Sequence, residues 1–469
     1  MAADQEAQTH TQSKWRLYVL FAIVVIGTAL GSLTQTALNT AASVVLADLQ
    51  TDIGWGQWLT TIYIFCMGAA VPLASFVQRR FSICALMLAS FGMYLVGSAC
   101  DFMAINFPML LIGRVLEAIA SGILMPLLQT IAMTRFPENR HGTAMGIAGI
   151  ALGFAPNIGP TVGGMLVSAA GWRFMFLILA VASLVLFVAT IALVDERDAR
   201  EPSAVLDGGS LALSTLGFGG MLLGFTAAAN MALSEPLVWT PVVIGACAIV
   251  AFCRRQRSLE RAGKLQLVNL RIFERQAYRA SLATQLFMYG CFMGMTLIIP
   301  LFVIEAGGYG PLEAGLVLFP GALAALVFEP GAGAASDRFG ARKVAIFGSA
   351  CLAAGAISIA FVPADAPLWI PAALQALRCV GLTSLIPTTT AHGLGSLGKA
   401  GLTTDGSAAM IMLRQICAAL ATAIMVCLVK AFGSAPVSEL GYHAALGFSG
   451  LLGLCAFICV VIFVDRRKR

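Results

Sequence analysis

The stretch His141–Gly164, HGTAMGIAGIALGFAPNIGPTVGG, decides how the rest of the chain is read. Within it Gly142, Gly146, Gly149, Gly153, Pro156, Pro160 and Gly163 follow one another in alternating steps of four and three, so on a helix they fall along one face. That face carries no bulky side chain. In water a glycine costs a helix interior about 1 kcal/mol and a proline about 3 kcal/mol, which such a run would not survive. Inside a bilayer the helix persists, because unpaired backbone groups there cost still more. The stretch therefore predicts a membrane helix with one smooth, bent seam, along which a second helix can come very close or slide.

Composition points the same way. Of 469 residues, 59% are hydrophobic and only 11% charged, and the mean hydropathy is +0.88. Soluble domains carry about 25% charged residues, so the chain reads as an all-α polytopic membrane protein. The net charge of +6 is spread over short clusters between apolar runs, which excludes a nucleic-acid-binding patch. Nearly all of the twelve cysteines lie inside apolar runs, without a CxxC pair or a histidine at ligand spacing, and read as small core residues. His10, His141, His392 and His443 show no zinc spacing, so no metal and no cofactor is expected. Gly393–Ala400, GLGSLGKA, nearly spells a phosphate-binding loop. Ala400 stands where the magnesium-holding hydroxyl is needed, and the segment follows a membrane helix, so ATP hydrolysis and enzyme activity are not expected.

Runs of about 20 apolar residues can be placed fourteen times, near 17–43, 55–77, 82–100, 107–133, 143–170, 172–194, 208–230, 237–254, 279–304, 311–335, 342–362, 367–391, 405–431 and 441–464. An even count puts both termini on one side. Lys14 and Arg16, Arg79 and Arg80, Arg135 and Arg140, Arg197 and Arg200, the cluster from Arg254 to Arg279, Arg338 to Lys343, Lys399 and the final Arg466–Arg469 all fall in alternate connections. By the positive-inside rule these are cytoplasmic, and the intervening loops carry Asp48, Asp52, Asp101, Glu235, Asp365 and Glu439. Trp55, Trp172, Trp239 and Trp369 stand near run ends, as interfacial anchors do. The Arg254–Arg279 connection is expected to be a solvated, charged segment with a short amphipathic piece on the anionic leaflet. The polar N-terminus lacks a convincing cleavage site, so the first run is read as retained and not as a signal peptide.

An internal repeat is visible. Gly333–Lys343, GAASDRFGARK, follows the tenth run, and its degenerate counterpart Ser75–Ala85, SFVQRRFSICA, follows the second, 258 residues earlier. Arg114 and Arg378 are likewise 264 residues apart. Two six-helix halves with a two-helix insert explain both offsets. The expected organisation is a cytoplasmic tail at 1–16, a six-helix bundle at 17–194, a linker with two extra helices and a basic loop at 195–278, a second bundle at 279–464 and a basic tail at 465–469.

Several charges sit inside apolar runs. A mid-membrane charge costs from ~3 kcal/mol to far more, so each should face a cavity or hold a partner. Glu117 lies three residues after Arg114, on the same helical face, so the two can neutralise one another. Burial would raise the Glu117 pKa and the arginine lower it, leaving a proton site and a static ion pair as alternatives. Glu329, beside Pro330, is a further acid that could line a cavity or lie close to the Asp337 loop. In that loop Asp337, with Arg338, Gly340, Arg342 and Lys343, makes a charge latch able to hold one conformation and release another. Gln35, Asn39, Asn157 and Gln285 are candidate polar residues of a substrate cavity.

The tail Gly159-Pro160-Thr161-Val162-Gly163-Gly164 resembles the fifth-helix signature of drug antiporters in the major facilitator superfamily, with Gly149, Gly153 and Pro156 on the same seam. The Asp337 loop is similar to the superfamily's cytoplasmic loop signature, and Arg114 opens RVLEAIASG, which resembles its fourth-helix motif. The whole chain looks like the fourteen-helix branch, multidrug exporters of the EmrB/QacA kind. That resemblance implies the major facilitator fold, two six-helix bundles with two helices between them, rocking around a midplane cavity. It also implies export of lipophilic or cationic drugs in exchange for protons, by a monomer in a bacterial-type plasma (inner) membrane, with antibiotic resistance as the outcome.

Arg378 and Arg414 match family positions in the twelfth and thirteenth helices. The first helix departs from the family, since Thr34 stands where the pattern has an acid. Glu117, with Arg114, is then expected to take over as counter-charge and proton site, with Glu329 a further candidate, and Thr34 and Arg378 join the cavity residues. Transport of a native metabolite or lipid without proton antiport, and a non-transporting membrane receptor or scaffold, are the alternative readings.

Overall fold

The computed structural model describes residues 2–51, 56–194, 207–231, 234–432 and 439–463. Trp55, Arg197, Arg200, the start of the linker at 195–206 and the basic tail at 465–469 lie outside these residues, as do the side chains of Lys14 and Asn39.

Among the described residues fourteen helices are long and apolar enough to cross a membrane, and no strand occurs. In chain order they begin with α1 (Ala2–Asp48), α2 (Gly56–Arg80), α3 (Ile83–Phe102) and α4 (Phe107–Thr134). The fifth, α5, comes in three pieces: His141–Gly149, a π-helical turn at Ile150–Phe154, and Ala155–Ala170. Then follow α6 (Trp172–Leu193), α7 (Gly208–Asn230), α8 (Pro236–Arg261) and α9 (Gln276–Leu301). The last five are α10 (Pro311–Phe339), α11 (Ala341–Ile359), α12 (Trp369–Gly398), α13 (Thr403–Phe432) and α14 (Glu439–Phe463). Polar side chains fix several starts: Asn106 caps α4 by accepting from the Met109 N–H at 2.9 Å, and Asp207 caps α7 by accepting from the Ser210 N–H at 3.1 Å.

The contacts divide the chain into two compact units, residues 1–136 with 155–206 and residues 137–154 with 207–469, so the division falls within α5. In the first unit α3 packs between α4 and α6, α2 packs on α4, and the Ala155–Ala170 piece of α5 lies along α1. Leu38, Leu59, Leu110, Trp172 and Phe176 belong to its core. In the second unit α12 packs on α9, α10 and α11, and α9 also packs on α13 and α14. The two insert helices α7 and α8 pair with each other, and α7 packs on α13. The His141–Gly149 piece of α5 lies against α10 and α12. Met288, Phe292, Leu352, Leu382 and Tyr442 belong to this unit's core.

The π turn changes how the seam works. One extra residue in the turn shifts the helical phase, so a face followed in threes and fours does not continue past it. Gly142, Gly146 and Gly149 before the turn and Gly153 within it all face α10: a Cβ on Gly146 would stand 2.8 Å from the Glu329 carbonyl oxygen. After it the buried row is Ala155, Gly159 and Gly163, and it faces α1, where a Cβ on Gly163 would stand 2.5 Å from the Ala37 carbonyl oxygen. Pro156 and Pro160 are half-buried, and a Cβ on Gly164 would meet no described atom within 4 Å. The expected single face is therefore two, each matched to a different helix.

Two further expectations change. Arg254–Arg261 is the last part of α8, and the connection to α9 tucks inward with Leu267, Val268 and Ile272 buried, so its apolar side faces the protein and not a leaflet. Buried Gln256 holds it there, accepting from the Leu267 N–H at 2.9 Å and donating to Ser210 Oγ at 2.7 Å. Asp101, assigned to a loop from its charge, belongs to the last turn of α3 and is buried.

Candidate functional site

The first unit holds a buried charged cluster on α4. Arg114 Nη1 donates to Glu117 Oε2 at 2.6 Å, the i,i+3 pair that the spacing predicts, with both side chains almost wholly out of solvent. Ser98 of α3 donates to Glu117 Oε1 at 2.8 Å. The Arg114 guanidinium lies 4.2 Å from the centre of the Tyr63 ring on α2. Tyr63 donates to the Gly31 carbonyl oxygen at 3.2 Å, and the Tyr63 and Tyr94 hydroxyls both meet Ser121 Oγ. Four helices thus converge on one ion pair. Composition alone gives no sign of Ser98, Tyr63, Tyr94 and Asp101 as members of this cluster; the signal available is Asn106-Phe107-Pro108, a helix start that leaves too few residues for Asp101 to sit in a loop.

The second unit holds Glu329 on α10, 0% exposed, with neither carboxylate oxygen hydrogen-bonded to a described side chain. The Phe154 backbone of the π turn bears on the carboxyl, and two glycines flank it. A Cβ on Gly149 would stand 3.1 Å from Glu329 Cδ, and one on Gly153 would collide with Oε1. Arg414 of α13 lies 4.3 Å from the centre of the Tyr289 ring, and its charge and that of Glu329 both bear on the Tyr289 hydroxyl. Arg414 Nε and Nη1 also lack partners. Glu329 and Arg414 are therefore a buried acid and a buried base with an aromatic ring in reach of both.

The Asp337 loop works through α5. Asp337 Oδ1 accepts from the Gly142 N–H at 2.7 Å, and Oδ2 accepts from the Thr143 N–H at 2.7 Å and the Thr143 hydroxyl at 2.6 Å. The carboxylate thus sits at a helix N-terminus, where free amides and the helix dipole favour negative charge. Gly142 and Gly333 permit the approach, since a Cβ on Gly333 would overlap the Gly142 carbonyl oxygen. Gly340, at φ +88°, turns the chain from α10 into α11 in a conformation that L side chains rarely adopt. The neighbouring basic residues serve other contacts: Arg338 lies 5.3 Å from the Phe339 ring centre, and Arg342 Nη2 donates to the Val461 carbonyl oxygen at 3.5 Å. Lys343 is exposed. Asp337 is therefore held by the first amides of a helix and the Thr143 hydroxyl.

The expected cavity residues divide. Thr34 is buried and donates to the Leu30 carbonyl oxygen at 2.7 Å, so its hydroxyl is spent within α1. Gln285 Nε2 donates to Thr390 Oγ1 at 2.6 Å and ties α9 to α12. Arg378 Nε donates to Gln375 Oε1 at 2.8 Å: the repeat of Arg114 keeps the arginine and exchanges the acid one turn after for an amide one turn before. Gln35 and Asn157 are half-buried, and the Asn39 side chain lies outside the described residues. Among the described residues no group of three or more His, Cys, Asp or Glu is placed to hold a metal ion.

Fourteen spanning helices, charges buried within them and a helix seam of glycines define a polytopic transporter. The Major Facilitator Superfamily model matches residues 24–422, and the chain belongs to that family. It is 29% identical over 456 residues to the protein of Bacillus subtilis named Uncharacterized MFS-type transporter YcnB, covering 97% of this chain and 95% of that one. It is 26% identical to the lincomycin resistance protein LmrB of Listeria monocytogenes, over 86% of this chain and 84% of that one. Among solved structures it is similar to the human organic anion transporter MFSD10 (TETRAN), with TM-score 0.65 and 14% identity over 95% of this chain and 99% of that one, which supports the fold.

Proposed function

We propose that the chain is a secondary active transporter that exports lipophilic or cationic drugs in exchange for protons, by alternating access of two six-helix halves. Likeness to a lincomycin resistance protein supports export of a toxic compound. The observation that carries the proton part is Glu329, wholly buried, without a side-chain hydrogen-bond partner among the described residues, and enclosed by Gly149, Gly153 and the Phe154 backbone of the seam. An unpaired carboxylate is costly in a low-dielectric interior, so such a group holds a proton until water or a cation reaches it. Movement of α5 along α10 would uncover it, and Asp337 on the start of α5 would hold or release that movement. In this reading the protein is a monomer of a bacterial-type plasma membrane with both termini cytoplasmic.

Purified protein in vesicles loaded with a pH-sensitive dye tests the proposal. Addition of a fluorescent lipophilic cation is expected to move protons in the opposite direction, and Glu329→Gln to abolish that movement. Substrate flux without proton flux would favour carriage of a native metabolite or lipid, and neither flux would remove the transporter reading.

A further inference from the structure

The end of α3 carries an acid that the mechanism above does not use. Asp101 is 0% exposed, and its carboxyl lies over Gly113 of α4, where a Cβ would collide with Oδ1. One turn earlier, a Cβ on Gly97 would stand 2.8 Å from the Gly113 carbonyl oxygen and 3.1 Å from Glu117 Cγ. Two glycines at facing positions thus bring α3 and α4 together and set the Asp101 carboxyl beside that of Glu117. Neither Asp101 oxygen accepts a hydrogen bond from a described protein donor, whereas Glu117 accepts from Ser98 and Arg114. A hydrogen bond between the two acids exists only when one of them holds a proton.

Charge counting says that one does. Two carboxylates and the Arg114 guanidinium leave a buried charge of minus one; a single added proton brings the cluster to zero, the cheapest state away from water. Among the described residues Arg114 is the positive group whose charge bears on both acids. Tyr63 and Tyr94, which face the cluster, have their hydroxyls on Gly31 and Ser121, and Cys100 beside Asp101 carries a thiol. Arg173 of α6 is committed to Asp48 and to the Ala104 carbonyl oxygen at 2.9 Å. The way in lies at this end: Met103, the residue after α3, is 65% exposed, and the side chains of Arg173 and Asp48 are 38% and 45% exposed.

We propose that Asp101 and Glu117 share one proton beside Arg114, and that Asp101 exchanges it with water at the α3–α4 turn. The use of this proton in transport rests on the proton-coupled reading above; its presence does not. On loading, a water-borne proton adds to the Asp101 carboxylate, and the new O–H bonds to Glu117. On release the O–H breaks to water, and Glu117 keeps Arg114 as its partner.

Infrared difference spectra of the purified full-length protein near neutral pH test this. Asp101→Asn and Glu117→Gln are each expected to remove the same protonated-carboxyl band, because the acid that remains then pairs with Arg114 as a carboxylate. Loss in only one of the two variants, or in neither, overturns the proposal. Asp101→Ser serves if the asparagine variant does not fold. The Glu329→Gln flux measurement decides the coupling reading separately, so either result can fail while the other stands.

Discussion

Glu117 and Glu329 are the same residue, each in a membrane helix and each buried, yet their surroundings are opposite. Glu117 has an arginine one turn before it and a serine across from it. Glu329 has two glycines and the Phe154 backbone beside it and no side-chain partner among the described residues. In the reading proposed above, the first arrangement spends a carboxylate on structure and the second supplies the coupling proton. An acid within an apolar run signals a role, and its neighbours in space decide which role.

The strongest way to break this contrast is Glu329→Gln. It is expected to reduce uphill export to the level of empty vesicles while the melting temperature holds or rises, since an unpaired buried carboxyl is lost; a drop in melting temperature with export intact would reverse the assignment. Arg114→Ala is expected to do the converse, lowering stability by about 3–5 kcal/mol by leaving acids buried without their cation, as read by denaturation in detergent. Asp337→Ala removes three hydrogen bonds to a charged group, each worth about 1.5–3 kcal/mol before water replaces it at this half-buried position. It is expected to slow transport and to raise labelling of a cysteine introduced at the start of α5.

Smaller effects sharpen the picture. Gly163→Ala is expected to impair folding or transport because its Cβ would meet the Ala37 backbone, while Gly164→Ala changes stability by less than about 0.5 kcal/mol. Asp207→Ala should cost about 1 kcal/mol at neutral pH, from the lost cap and the ion pair with Arg255. Arg255, and after it Ser210, hold the Asp207 carboxyl well below the usual carboxylate range. The ion-pair part of that stability is therefore full above the unfolded pKa of about 3.9 and is lost as pH falls through the lower folded value. Melting curves of the two proteins should converge in strong acid.

In the first unit Asp48 is likewise held low, first by Arg173 and then by Trp172. This pair joins the end of α1 to the start of α6 and covers the α3–α4 turn through Ala104. Sequence placed Asp48 in a loop for the same reason it placed Asp101 there: acids at run ends look solvent-facing. One of them is exposed and the other buried, and only the helix start at Asn106 hints at the difference.

The sequence by itself determined the membrane class, the fourteen helices and the Arg114–Glu117 pair. All of these follow from period and spacing along one helix. Only the tertiary structure decided the phase shift at Ile150–Phe154, the burial of Asp101, the glycines that flank Glu329 and the amides that hold Asp337. Each depends on which residues from distant parts of the chain meet, and a helix's own periodicity carries no record of what packs against it.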